Sequence, residues 1–308
     1  AVEMGRDPQA YERDCALFRA MQQDPVLCKT KLIAEPWDLG LGGYQLGNFP
    51  SNWNELNGKF RDCVRAFWRG DPGVAGEFAA RLTGSEELFA HNHRKPSAGL
   101  NMITSHDGFT LRDLVSYNEK HNELNQEGNR DGDSHNISYN HGEEGETDDP
   151  KTREIRLRQI RNFLATSILS QGTPFITAGD EALRTQGGNN NGYCQDNEIS
   201  WLNWSVGEEE EQLRRFVAKL LAFRRDHPAL HRRRFFSGRT IGSSKIPDAS
   251  WMRPDGGSKE IIDWSIDRPG HRTQQRISPL LFQRPLQKEC ISLSEENDLP
   301  MGTHHRHR

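Results

Sequence analysis

The sequence predicts an α/β fold in which βα units build a parallel sheet. Three observations carry this reading. Short apolar runs recur at Lys31-Leu32-Ile33-Ala34, Asn101–Thr104 and Pro174-Phe175-Ile176-Thr177-Ala178. Each ends in an acidic residue and a polar loop. Stretches with apolar residues at helical spacing separate them, and strand, loop and helix in alternation is the pattern of a parallel sheet.

In chain order, residues 10–22 read as a helix, with Tyr11, Cys15, Phe18 and Met21 near one face. The first strand stops before Pro36, which cannot donate to a ladder. Residues 39–58 read as a long Gly/Asn/aromatic loop, and 60–67 fit strand or helix. Asp71-Pro72 opens a helix through Val74, Phe78 and Leu82. Ser105-His106-Asp107-Gly108 closes the second strand, and a polar stretch runs from about 117 to 149. Asp149-Pro150 starts a long helix carrying Leu157, Ile160, Leu164 and Ile168, with Gly172 after its end. The third strand runs into Gly179-Asp180-Glu181. The last strong helix covers 208–225 and stops at His227-Pro228.

Composition narrows the function. The 308 residues carry a net charge of −4, which argues against nucleic acid or an anionic membrane as the main partner. No apolar run reaches the length of a transmembrane helix, and the first ten residues lack a signal-peptide core. Five scattered Cys without a CxxC read as free thiols in a reducing, cytoplasmic setting, and no metal site is expected. There is no P-loop, GxSxG or HExxH. From about 268 the chain turns rich in Arg, Gln, Ser, Pro and His, and reads as a poorly ordered tail.

The chemistry sits at the predicted strand ends. Glu35, next to Pro36-Trp37, is either a solvated strand-end carboxylate or, if partly desolvated, a general acid. His106-Asp107 suits stabilisation of a cationic transition state, or Asp107 caps the helix that follows. Asp180-Glu181 repeats that placement. Trp37, Tyr44, Trp53, Tyr193, Trp201 and Trp204 are candidates to stack on sugars, or ordinary loop packing. Asn189-Asn190-Asn191 offers amides to hydroxyls, or simply makes a turn. Two acids among aromatics and amides, with no metal or phosphate motif, favour carbohydrate chemistry.

Three stretches resemble the bacterial glycogen debranching enzymes of the isoamylase type, in the α-amylase superfamily. They are KLIAEPWDLGLGGYQLGNFPSNWNELNGKFRD, NMITSHDGFTLRDLVSYNEKHNELNQEGNRDG and TPFITAGDE with QGGNNNGYCQDNEISWLNW. The likeness covers about residues 4–256 and fades after Asp263-Trp264. It implies a partial (β/α)8 TIM barrel, strands 5–8, over residues 1–240. Residues 241–267 would then begin a truncated C-terminal region, and 268–308 form the irregular tail. It further implies retaining hydrolysis, with no redox cofactor, of α-1,6 branch points in an α-glucan, glycogen or a limit dextrin. Glu35 matches the proton donor, Asp107 the transition-state stabiliser and His106 a substrate-binding neighbour. Trp37, Tyr44 and the Asn189–Tyr193 segment fall along the implied cleft. The family's nucleophilic Asp lies in a GFRFD-like motif expected just before Ala1, and these 308 residues do not contain it. A segment that binds glucan without cleaving it is the competing expectation.

Overall fold

The computed structural model describes residues 1–7, 10–205, 207–240 and 247–251. The predicted tail, Cys290 and nearly all of 241–267 lie outside these residues. The described chain divides into a unit spanning Ala1–Phe235 and a second beginning at Phe236. In the second, Thr240 bridges Pro247 antiparallel, and the Asp248 carboxylate accepts the Gly238 N–H at 2.8 Å.

The first unit holds a four-stranded, all-parallel sheet and a two-stranded antiparallel ribbon. The ribbon is β1 (Arg6–Asp7) with β2 (Ala10–Tyr11). The sheet runs in the order β3 (Leu32–Ala34), β4 (Trp53–Leu56), β5 (Gly99–Asn101), β6 (Thr173–Pro174). Its registers pair Ile33 with Asn54, Leu56 with Leu100, and Leu100 with Thr173. Chain order equals spatial order, so the loops after β3, β5 and β6 leave the same edge of the sheet. The parallel α/β architecture agrees with the sequence reading; several elements differ from it.

The predicted helix over 10–22 is instead β2 followed by α1 (Ala16–Gln23). Its apolar spacing reflects a shared core: Tyr11 and Phe18 both pack with Phe49, beside Val2, Ala34 and Trp53. The predicted loop 39–58 contains β4. Asn54 and Glu55 hide that strand, because a buried carboxylate interrupts its apolar pattern. Glu55 is fully buried, paired with the Arg94 guanidinium and accepting N–H groups from Gly47 at 2.5 Å and Phe49 at 3.2 Å. Arg94 also donates to the Trp53 carbonyl at 2.7 Å, tying the pair to the strand.

The ambiguous segment is α2 (Gly58–Arg69), whose Asn57 cap accepts the Phe60 N–H at 2.9 Å. The next helix, α3 (Ala75–Leu82), starts later than Asp71-Pro72 suggested, because Gly73 adopts φ +78°. α4 (Glu86–Phe89) leads into β5. The ladder of β5 ends at Asn101 rather than running to Thr104, yet Met102 and Ile103 remain buried beyond it. The ladder of β6 ends at Pro174 rather than running to Ala178.

Between β5 and β6 lie α5 (Leu111–Leu114) and α6 (Pro150–Leu169). α6 begins as read: Asp149 accepts the Thr152 N–H at 2.8 Å, with Pro150 in the first turn. α7 (Glu208–Asp226) packs on α6. Its buried Arg224 donates to the carbonyls of Ile168, Ser170 and Gly172 at 2.5–2.7 Å, satisfying groups in the last turn of α6 and just past it.

Candidate active site

The loops after β3 and β5 bring three predicted residues together. One side-chain atom each from Glu35, His106 and Asp107 lie within 4.8 Å of one another. Glu35 is half-buried, whereas His106 and Asp107 face solvent. His106 Nε2 stands 3.5 Å from Asp107 Oδ2. Glu35 follows the last residue of β3, and β4 separates that strand from β5 in the sheet.

Trp37 and Tyr44 sit on the Glu35 loop and stack, with ring centroids 6.4 Å apart and planes 13° from parallel. Trp37 also packs on Leu56, Leu100 and Met102, while Tyr44 is half-exposed. The loop is held in two ways. Arg6 grips both Asp38 carboxylate oxygens, at 2.5 and 2.7 Å, which holds that carboxyl below its ordinary range. At Gly43 the backbone approaches so closely that a Cβ would lie 2.3 Å from the Asp38 carbonyl oxygen, so only glycine fits.

The His106-Asp107 turn is anchored at both ends by one side chain. Asp180 accepts from the Thr104 hydroxyl and, at 2.9 Å, from the Leu111 N–H. Thr104 and Thr177 share a further hydrogen bond of 2.9 Å. Burial pushes the Asp180 carboxyl up to about 6. Asp107 is not a helix cap: the Thr110 hydroxyl takes that position and accepts the Asp113 N–H at 3.2 Å.

The 186–191 loop meets this turn through its backbone. Gly108 N–H donates to the Asn190 carbonyl at 2.9 Å. Asn189 and Asn190 are buried, and their amides are engaged inside the protein. Asn190 Nδ2 donates to the Asp133 carbonyl at 2.6 Å and to Asn136 Oδ1 at 2.9 Å, while its Oδ1 accepts from Asn122 at 2.8 Å. Asn189 donates to Asn125 and Asn191 to Asp131, each at 2.9 Å. These amides build the loop instead of facing a ligand. Tyr193 is largely exposed and donates to Glu127, which raises its phenol to about 12. Trp201 and Trp204 are exposed as well; Trp53 is buried in the core, which removes it from the stacking candidates.

Sequence reading missed two residues that shape the site from behind, Glu55 and Asp113, and it placed Asp180 at a strand end without its supporting role. Asp113 accepts the Gln186 N–H at 2.8 Å and the Thr185 hydroxyl. The density of Asn and Asp over 118–136, matched by Asn189-Asn190-Asn191, was the available signal for the interlocked loops. A cavity of about 330 Å³ beside Arg112, Glu146, Arg153, Leu157 and Glu209 shares no residue with the cluster. Cys15, Cys28, Cys63 and Cys194 are free thiols. Among the described residues no helix is long and apolar enough to cross a membrane.

No family model matches the sequence. A glycogen operon protein GlgX homolog of Mycobacterium tuberculosis strain H37Rv is 53% identical over 265 residues, or 86% of this chain and 37% of its own length. The glycogen debranching enzyme of Yersinia enterocolitica is 49% identical over 294 residues, or 95% of this chain and 40% of its own. That second match must run past Trp264, further than the sequence reading placed the likeness. A pullulanase of Paenibacillus barengoltzii, solved with maltotetraose, superposes with a TM-score of 0.50 at 22% identity, covering 78% of this chain and 36% of its own, a likeness of fold alone. The chain spans about two fifths of the length of the curated relatives it matches. At these identities over most of its length, the chain is a homologue of the bacterial glycogen debranching enzymes.

Proposed function

We propose that this chain is the part of an α-glucan debranching hydrolase that supplies the proton donor and the groups gripping the sugar. The observation that supports it is the convergence of Glu35, His106 and Asp107 from two strands of one parallel sheet. In this reading the sheet is strands 5–8 of a (β/α)8 barrel, whose chemistry belongs at the strand C-termini. Glu35 protonates the oxygen leaving an α-1,6 linkage of glycogen or a limit dextrin, then draws the proton from the incoming water. Asp107 faces the charge that develops on the ring, and His106 donates to a hydroxyl. Trp37 and Tyr44 border the sugar, and Tyr193 offers a phenol at the rim. The reaction needs no redox cofactor and runs in the cytoplasm.

A retaining mechanism requires a nucleophilic carboxylate about 5–5.5 Å from the acid. The resemblance gives that role to an Asp in a motif outside these 308 residues. The second reading, a glucan-binding segment without hydrolysis, is favoured by the exposure of His106 and Asp107.

The test is reducing-sugar release from a phosphorylase limit dextrin by residues 1–308 joined to a relative's preceding barrel half, which supplies the nucleophilic Asp. Release that Glu35→Gln lowers by about 10²–10⁴-fold supports the hydrolase reading. Binding of the dextrin without release supports the second reading. Neither binding nor release overturns both.

A further inference from the structure

The loops after β5 and β6 exchange acids. Asp180, from the second loop, accepts from Thr104 and Leu111, which lie on either side of His106-Asp107 in the first. Asp113, from the first loop, accepts from Thr185 and Gln186 in the second. Gly108 N–H to the Asn190 carbonyl, at 2.9 Å, adds a third tie at the turn itself. His106 and Asp107 have side chains about two-thirds exposed, so few packing contacts of their own fix where they point. Position must come from the backbone that carries them. That backbone crosses Asp180 twice, once entering and once leaving the turn.

We propose that Asp180 is a positioning residue of the site: its buried carboxylate pins both ends of the turn that presents His106 and Asp107 to Glu35. The importance of this for sugar rests on the function proposed above; the mechanical role does not. The two oxygens act separately, Oδ2 on Thr104 and Oδ1 on Leu111. An uncharged side chain of the same shape therefore retains much of the effect. A carboxamide can accept from the Leu111 N–H and donate to the Thr104 hydroxyl, which then donates to Thr177. Alanine retains neither tie.

The experiment compares Asp180→Ala and Asp180→Asn with Phe78→Ala, a core deletion in α3, which packs on α2. The ¹⁵N and ¹H signals of the His106 ring, assigned by their loss in His106→Gln, report the turn directly. Melting temperature reports stability, and the affinity for maltotetraose reports the sugar site. Asp180→Ala is expected to shift the His106 signals and to weaken maltotetraose binding on the order of tenfold or more. Phe78→Ala is expected to lower the melting temperature and move neither. Asp180→Asn is expected to restore both readouts close to the wild-type values. Should Asp180→Ala fail to fold, Thr104→Val, which removes one of the two ties, is expected to shift the ring signals in its place. His106 signals that move no further in the Asp180 or Thr104 variant than in Phe78→Ala overturn the proposal. A wild-type chain that does not bind maltotetraose overturns the proposed function instead, and the ring signals still decide for or against Asp180.

Discussion

Asp180 shows how a buried carboxylate serves a site while lowering stability near neutral pH. Its carboxyl titrates at about 6 when folded, above the ordinary 3.8. Between about pH 4 and 6 the folded protein therefore holds more protons than the unfolded chain. Stability falls as pH rises across that window, and the loss is complete above about 6. Each pH unit between the two values is worth about 1.4 kcal/mol, so the whole effect is roughly 3 kcal/mol. Urea unfolding of Asp180→Asn from pH 4 to 7 is expected to lack this decline. Glu55, buried in β4, has a full cationic partner in Arg94. Arg94→Met leaves that carboxylate buried and unpaired. It is expected to cost about 3–5 kcal/mol, read as a drop in the urea midpoint at unchanged slope. Glu35, His106, Asp107 and Asp180 were legible in the sequence, because they sit where apolar runs stop and a carboxylate or imidazole follows. The partners of the supporting acids were hidden, since they lie 39 residues away for Glu55 and 76 and 69 for Asp180.

Elements with strong local signals were read correctly, and those made by distant pairing were not. α6 has its Asp149 cap, Pro150 and a steady apolar stripe, all within one window of sequence. By contrast, β4 is a strand because β3 and β5 flank it and Arg94 neutralises its glutamate. The antiparallel ribbon before α1 likewise depends on a partner, β1, that periodicity does not see. Arg224 illustrates the same dependence between helices. It donates to three carbonyls at the end of α6, two of them on residues that follow the helix. Burial lowers its pKa to about 10, which leaves the guanidinium charged at neutral pH. Arg224→Met removes these donors while keeping most of the packing. The change is expected to destabilise the protein by about 1–3 kcal/mol, and thermal melting followed by circular dichroism checks it.

Across the first unit, one parallel sheet sends the loops that matter from a single edge. Glu35 leaves β3, His106 and Asp107 follow β5, and the Asn-rich loop follows β6. The interlocked Asn and Asp side chains behind them make a scaffold, so the exposed side chains in front are the ones free to meet a ligand. On this account α-glucan binds at Glu35, His106 and Asp107, and not at the cavity beside Arg112 and Glu209. The most direct measurement is the affinity of residues 1–308 for a phosphorylase limit dextrin, by retardation in a dextrin-containing native gel, beside Asp107→Ala and a Glu209→Ala control. The expected result is retardation of the wild type and the control, and its loss in Asp107→Ala. Equal retardation of all three, or loss in the control alone, would contradict this placement of the glucan.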